Sequence, residues 1–260
     1  MLSLTGTFQS NAGTTINGDV GIGPNSAAVI QGTSTVNGSV FYDPRTRYLG
    51  TGSVAGGAHM QSMMQPSLDA WTASNYYKNY ATQSNVFASI SAATTIVAHS
   101  GFNVFSLSSG IALNNANLTL SGSSSDYFVF NIYGGFTLSG TSSIILTGGL
   151  TPSNVLFNII GPGSALTTQL GSTVRGTILS IGRSISFDGV FVGEIIGGGS
   201  GSTFTLLSGT TVGPAVATLP QSVPDQGSAA WLSLIALGFV ISFERCCAKS
   251  QRAAKRKLRG

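Results

Sequence analysis

Few residues in this chain are of types that carry out chemistry. Ahead of residue 223 the carboxylates are Asp19, Asp43, Asp69, Asp126, Asp188 and Glu194, and of these only Asp188 and Glu194 lie close in sequence. On adjacent strands they could act like the carboxylate pair of a glycosidase, although a turn Asp followed by a strand-end Glu accounts for them equally well. A polysaccharide lyase would need clustered acids for calcium and a basic proton acceptor, and only Arg175 and Arg183 lie in that region. His59 and His99 have no carboxylate or Cys beside them, and the adjacent Cys246 and Cys247 lack the second pair or His that a metal site requires. The Gly-rich stretch at 197–202 is not followed by Lys-Ser or Lys-Thr and reads as a loop rather than a phosphate cradle. The expectation is a non-enzyme without metal or cofactor.

Small hydroxyl residues are the more telling set. Side chains alternate across a strand, so inward Leu118 and Leu120 put Thr119 outside, and the same parity exposes Thr137, Ser184, Ser186, Thr203 and Thr205. Rows of such residues on a flat, rigid face can order water at a fixed spacing, with methyls shedding water and hydroxyls anchoring it. The plainer reading is that they only solubilise the outer face of strands. Tyr42, Tyr48 and Tyr133 are the rings on which a sugar could stack if the face instead served adhesion.

The elements that must position these residues are legible in the composition. Charged residues are 8% of the 260, against roughly 25% in an average soluble domain, while hydrophobic residues reach 42% and Gly numbers 35. Ser, Thr, Asn and Gly stand where Lys and Glu usually do, which favours short strands and tight turns over helices. Seven of the twelve positive charges lie in residues 245–260, which hold no acid; the rest of the chain carries five against eight acids. So acidic a body is a poor nucleic-acid binder, since that affinity rests on neutralising phosphates.

The C-terminal segment has three parts. Val223, Pro224, Asp225, Gln226, Gly227 and Ser228 precede an apolar run from Ala229 to Phe243, and a basic end follows. The run is shorter than the ~20 residues of a comfortable membrane span, but flanking residues extend it and the basic cluster marks a cytoplasmic end. At the other end, residues 1–4 enter strand-like sequence with neither the basic nor the apolar region of an export signal, so the start of the exported protein is expected further upstream.

Between these ends the chain repeats. Leu118-Thr119-Leu120-Ser121-Gly122 returns as Phe136-Thr137-Leu138-Ser139-Gly140, and Val129-Phe130-Asn131-Ile132 as Leu156-Phe157-Asn158-Ile159. Self-similarity at ~20 residues with Gly or Asn at the corners is the mark of a β-solenoid, in which each coil leaves an apolar edge for the next to bury. One stretch, 58–81, spaces Met60, Met63, Met64, Leu68, Trp71 and Tyr80 at near-helical intervals, which predicts core packing against a sheet. Pro66 is expected to break this helix or begin a second one.

Residues 4–212 resemble the bacterial and fungal ice-binding-like proteins. The resemblance is carried by the stretch from Thr14 to Gly21, by Val36-Asn37-Gly38-Ser39-Val40, by the helical insert, and by the runs from Phe128 to Ile132, Asn154 to Ile159 and Gly176 to Leu179. It implies an all-β, irregular right-handed β-solenoid (β-helix) with one flanking helical segment, and adsorption to ice or ordered water. Parts of it also resemble related envelope proteins with alternative C-terminal anchors, for which adhesion or a structural role is implied. The tail is similar to exosortase-type sorting signals, departing from them at Gln226, and implies a transmembrane helix, a sorting peptidase and an envelope or extracellular location. The expected organisation is a solenoid over 1–212 with a helical insert near 58–81, a linker over 213–222 and a sorting tail over 223–260.

Overall fold

The computed structural model describes residues 1–80 and 87–213. The chain forms short parallel strands wound into a three-sided solenoid. The first strands define the sides. Leu2–Ser3 lies on face A, Gly6–Ser10 on face B and Thr15–Ile16 on face C, and Val20–Ile22 then returns to face A beside Leu2–Ser3. Face B is a nine-stranded sheet, and faces A and C run together through the long strands Thr173–Ile181 and Val190–Gly198. These two strands turn the corner without a break at Gly176 and Gly193. Both have positive φ, and a Cβ on Gly193 would overlap the carbonyl oxygen of Gly176.

Stacking order is not sequence order. On face B the strands run Ser89–Ile90, Gly110–Asn114, Gly135–Ser139, Leu166–Thr168, Ile185–Phe187, Thr203–Leu206, Gly6–Ser10, Ser26–Ile30, Arg47–Gly50. The chain therefore starts in the middle of the stack and winds to one end, where Ala58–Met60 is the last strand on face A. The helix Met64–Lys78 then crosses face A toward the other end, from which the remaining coils climb back to the first one.

The interior is one apolar column in which register stacks like on like. Phe105, Phe130 and Phe157 pair in adjacent strands, with ring centroids 5.1 and 5.3 Å apart. The echo of residues 129–132 by 156–159 is thus a direct strand pair. The other echo is not. Leu118 pairs with Ile144 at the face C end of the joint sheet, whereas Phe136 pairs with Ile111 and Leu166 on face B. An eighteen-residue similarity between two sides looks like a coil repeat because true coils run from 17 residues (Thr173 to Val190) to 30 (Phe136 to Leu166).

A second apolar layer lies outside face A, where Leu2, Leu4, Phe41, Val104, Val129, Leu156 and Leu179 meet the helix. A 15-residue helix is about 22 Å long, enough to cross about five strand spacings of ~4.8 Å. It runs from Met63, whose N–H donates to Asp43, to Tyr77, whose carbonyl accepts from Asn131. The sheet meets Ser67, Ala70, Ser74 and Tyr77. Of the expected Met and aromatic stripe, Met63 and Tyr80 pack into this layer, while Met60, Met64, Leu68 and Trp71 are exposed, so the middle of the packing face is made by other residues. Small residues prevail because the sheet already presents large side chains, and only a thin helix face lets the backbones approach. Pro66 neither breaks the helix nor starts another. It sits in the first turn, where its missing N–H has no partner to lose.

Among the described residues no helix is long and apolar enough to cross a membrane. The run from Ala229 to Phe243, the motif residues Val223, Pro224, Asp225, Gly227 and Ser228, and nearly all of the expected linker lie outside the described residues.

Candidate functional site

Face B carries two in-register outward rows. In the first, Thr137, Thr167, Ser186, Thr205 and Gln9 follow one another across five strands, bounded by Ala112 on one side and by Val29 and Leu49 on the other. In the second, Thr203 pairs with Thr7, and the Thr203 N–H donates to Ser184 Oγ at 3.1 Å. Thr7 is followed by Ala27 and then Arg47, the one charge in either row, at the end of the sheet. Rows repeat at about 4.8 Å across strands and about 7 Å along them. Thr167 donates to Thr137 at 3.2 Å, so neighbouring hydroxyls are within hydrogen-bond reach of each other.

Each of these side chains projects because its neighbours are fixed in the core. Phe136, Leu138, Leu166, Ile185, Phe187, Phe204, Leu206 and Phe8 are essentially fully buried beneath them. A β-branched side chain on such a strand has little χ1 freedom, so the threonine hydroxyls are held in place before any ligand arrives.

Of the six residues singled out by strand parity, Thr137, Ser184, Ser186, Thr203 and Thr205 come together on this face. Thr119 does not. It pairs with Thr95 and Ile145 in the sheet formed by faces A and C. Its parity is outward, but on another side of the coil. Thr7, Gln9 and Thr167 also belong to the face B patch, and the sequence gives no sign of it because their strands carry no repeat of the Phe-Thr-Leu kind.

A third row lies on face C, where Ser53, Thr35, Thr15 and Thr211 pair in succession. Each of the last three is preceded by a buried hydroxyl residue and followed by a core residue, as in Thr14-Thr15-Ile16, Ser34-Thr35-Val36 and Thr210-Thr211-Val212. The buried member bonds a corner carbonyl: Thr14 and Ser34 each donate to Asn11 O at 2.7 Å. This triplet is visible in the sequence once the corner is known.

Of the groups that could have supported catalysis, Arg183 and His59 are held by backbone carbonyls, whereas the Asp188 carboxylate has a buried oxygen, Oδ1, without a hydrogen-bond partner among the described residues. Arg183 is 2% exposed, and its guanidinium donates to the carbonyls of Gly161, Gly134, Ser164, Tyr133 and Ile160. Asp188 forms a turn in which its N–H donates to Thr168 Oγ1 and its carbonyl accepts from the same hydroxyl. Glu194 lies past the Gly193 corner, paired with Thr177. His59 bonds Gly56 O and stacks on Phe41 at 5.5 Å. Among the described residues no group of acids, His and Cys could hold a metal ion. Tyr42 and Tyr48 stack on each other at 5.1 Å and close the end of the core, leaving Tyr133 as a separate exposed ring.

Comparisons with known proteins agree with this architecture. Solved structures with the same fold include an ice-binding protein from an Antarctic biological consortium (21% identity, TM-score 0.57, covering 82% of this chain and 86% of that one). Another is an ice-binding protein from the Antarctic ascomycete Antarctomyces psychrotrophicus (22%, TM-score 0.57, 83% and 94%). A third is an ice-binding protein from an Arctic yeast (18%, TM-score 0.61, 86% and 93%). No curated protein matches the chain in sequence. A family model described as Ice-binding-like matches residues 1–198, and the chain belongs to that family.

Proposed function

We propose that this protein adsorbs to ice through face B. The observation that carries the reading is the uncharged patch of Thr7, Gln9, Thr137, Thr167, Ser184, Ser186, Thr203 and Thr205, held in register on one rigid sheet. An ice surface offers water oxygens on a lattice, and bridging water is enthalpically nearly as good as a direct hydrogen bond. Fixed hydroxyls hold such waters at few-ångström intervals, the threonine methyls between them exclude disordered water, and no charged group imposes its own hydration shell. Solved proteins that share the fold are described as ice-binding, and the family carries the same description. Adsorption of this kind needs no catalytic group and no cofactor.

The protein acts from the cell surface in this reading. Residues 223–228 form an exosortase-type sorting motif, the run from Ala229 to Phe243 spans the membrane at least transiently, and the basic end stays on the cytoplasmic side.

The discriminating experiment is paired substitution. Thr205→Lys with Ser186→Lys on face B should abolish ice recrystallisation inhibition while the circular dichroism spectrum is unchanged, and Thr119→Lys on the other sheet should leave it intact. Retained inhibition in the face B double variant would refute the assignment of the face. Membrane flotation, with mass spectrometry of the mature C-terminus for cleavage between 223 and 228, tests the surface location.

A further inference from the structure

We propose that Arg183 is a positioning residue for the hydroxyl patch: its buried guanidinium sets the register in which Thr137, Thr167 and Ser186 line up on face B. The proposal rests on the reading of face B as the adsorbing side. Thr137 pairs with Thr167, and Thr167 with Ser186. Three residues before each of them stand Gly134, Ser164 and Arg183, in the corner between faces A and B. The guanidinium gathers these positions, since Nη1 donates to Gly134 O and lies 3.5 Å from Ser164 O. Nη2 and Nε reach further back into the same corner, to Tyr133 O at 2.8 Å, Ile160 O at 2.7 Å and Gly161 O at 2.7 Å. Ser184 extends the link. Its carbonyl accepts from Leu166 N–H at 2.9 Å, and its hydroxyl from Thr203 N–H at 3.1 Å. One dipeptide thereby ties together the starts of four successive face B strands, Gly135–Ser139, Leu166–Thr168, Ile185–Phe187 and Thr203–Leu206.

A clamp is needed there because the corners differ in length. Two residues join Tyr127–Ile132 to Gly135–Ser139, six join Val155–Ile159 to Leu166–Thr168, and three join Thr173–Ile181 to Ile185–Phe187. Loops of unequal length impose no common start on the strands that follow, and a slip of one residue would turn the row inward. In the next coil the corner is closed by its own hydroxyl, Ser202 donating to Gly199 O at 2.7 Å. The planar fork of an arginine suits the longer corner, because its donors are fixed relative to one another, whereas an apolar filler would leave buried carbonyls unpaired. Gly163 packs against it so closely that a Cβ there would stand 3.0 Å from Arg183 Cζ. Being 2% exposed, Arg183 acts from beneath the surface, and its charge adds no hydration shell to the patch.

The test uses two variants of the full chain, Arg183→Met and Gly163→Val. The second displaces the fork without removing it, at a backbone that accepts a side chain, and serves where the first fails to fold. Asp43→Asn, away from the patch, supplies a weakened fold with the corner intact. Ice recrystallisation inhibition and residue-resolved amide exchange are measured on each folded protein just above freezing. Both corner variants should lose inhibition several-fold and Asp43→Asn should keep it. Exchange in the corner variants should quicken in the four face B strands and not on another side of the same coils, in Asn117–Ser121 and Ser143–Thr147. That contrast separates positioning from a general loss of stability, which would quicken all of them. Unchanged inhibition in the folded corner variants, an equal loss in Asp43→Asn, or exchange that rises alike on every side overturns the proposal. A wild-type protein without ice activity would instead sink the functional reading, and the exchange pattern alone would then decide whether Arg183 sets the register.

Discussion

Phe8 and Phe204 meet edge to face, with ring centroids 5.5 Å apart and planes at 83°, although they come from opposite ends of the described chain. Their strands pair in register, and that pairing joins Thr7 to Thr203 and Gln9 to Thr205. The first and last coils therefore form a seam in the middle of the stack, and face B is continuous only because the seam is closed. Phe204→Ala should lower stability by about 3–5 kcal/mol. Adding Phe8→Ala should cost less than it does alone, because touching residues are not additive. Urea denaturation of the two single variants and the double variant measures both effects.

Arg183 is a buried cation whose partners are backbone carbonyls. Its planar fork reaches the carbonyls of residues 133, 134, 160, 161 and 164, tying three chain segments together at one corner. Arg183→Met should cost about 3 kcal/mol or more, since several buried acceptors lose their donors at once. Arg183→Lys should rescue little of it, because one ammonium cannot reproduce the geometry of the fork. Thermal unfolding of the two variants decides the point; a full rescue by Lys would show that charge alone suffices.

The helix is pinned by two stacked asparagines. Asn158 donates to Ser74 O and to Asn131 Oδ1 and accepts from Ser74 Oγ, while Asn131 donates to Tyr77 O. Asn158→Ala should cost about 1–3 kcal/mol, the range for leaving buried polar partners unsatisfied. It should also speed amide exchange across Met64–Lys78 more than in the face B strands. Uniform exchange rates in the variant would mean that the helix is held by its apolar contacts alone.

How much of this was legible in the sequence varies by element. Strand parity exposed Thr137, Ser184, Ser186, Thr203 and Thr205, because alternation is a local property of an extended chain. Which side of the coil each strand occupies is not local, and Thr119 shows the cost: outward by parity, yet on another sheet. The echo of Asn131 by Asn158 was visible, but its purpose was not, since the helix groups they bond lie 54 and 84 residues away in sequence. Hydrophobic spacing identified Met63 and Tyr80, which pack at the two ends of the helix, but not its middle, because spacing cannot see that the opposing sheet needs Ala70 and Ser74 rather than Met64 and Trp71. Nothing in the repeats reveals that the first coil stacks on the last.

Acid should loosen the joint before the helix. The Asp43 side chain is 1% exposed and accepts from Arg45 and from the Met63 N–H. The Arg45 side-chain hydrogen bond is the largest of the effects that bring its pKa down to about 2. An Asp in the unfolded chain titrates near 3.9, so this group stabilises the fold fully above about pH 4. That contribution is lost as the pH falls toward 2. Asp43→Asn should be less stable at neutral pH and should flatten the stability profile between about pH 4 and 2. Chemical denaturation across that window checks it.

The central claim is that a family fold with an uncharged hydroxyl patch on face B adsorbs to ice. Its most direct test is thermal hysteresis together with ice recrystallisation inhibition on purified residues 1–213, the solenoid closed by its own two ends. The account predicts measurable activity in a folded, β-rich sample, abolished by lysines at Thr205 and Ser186. A folded sample with neither effect would contradict it.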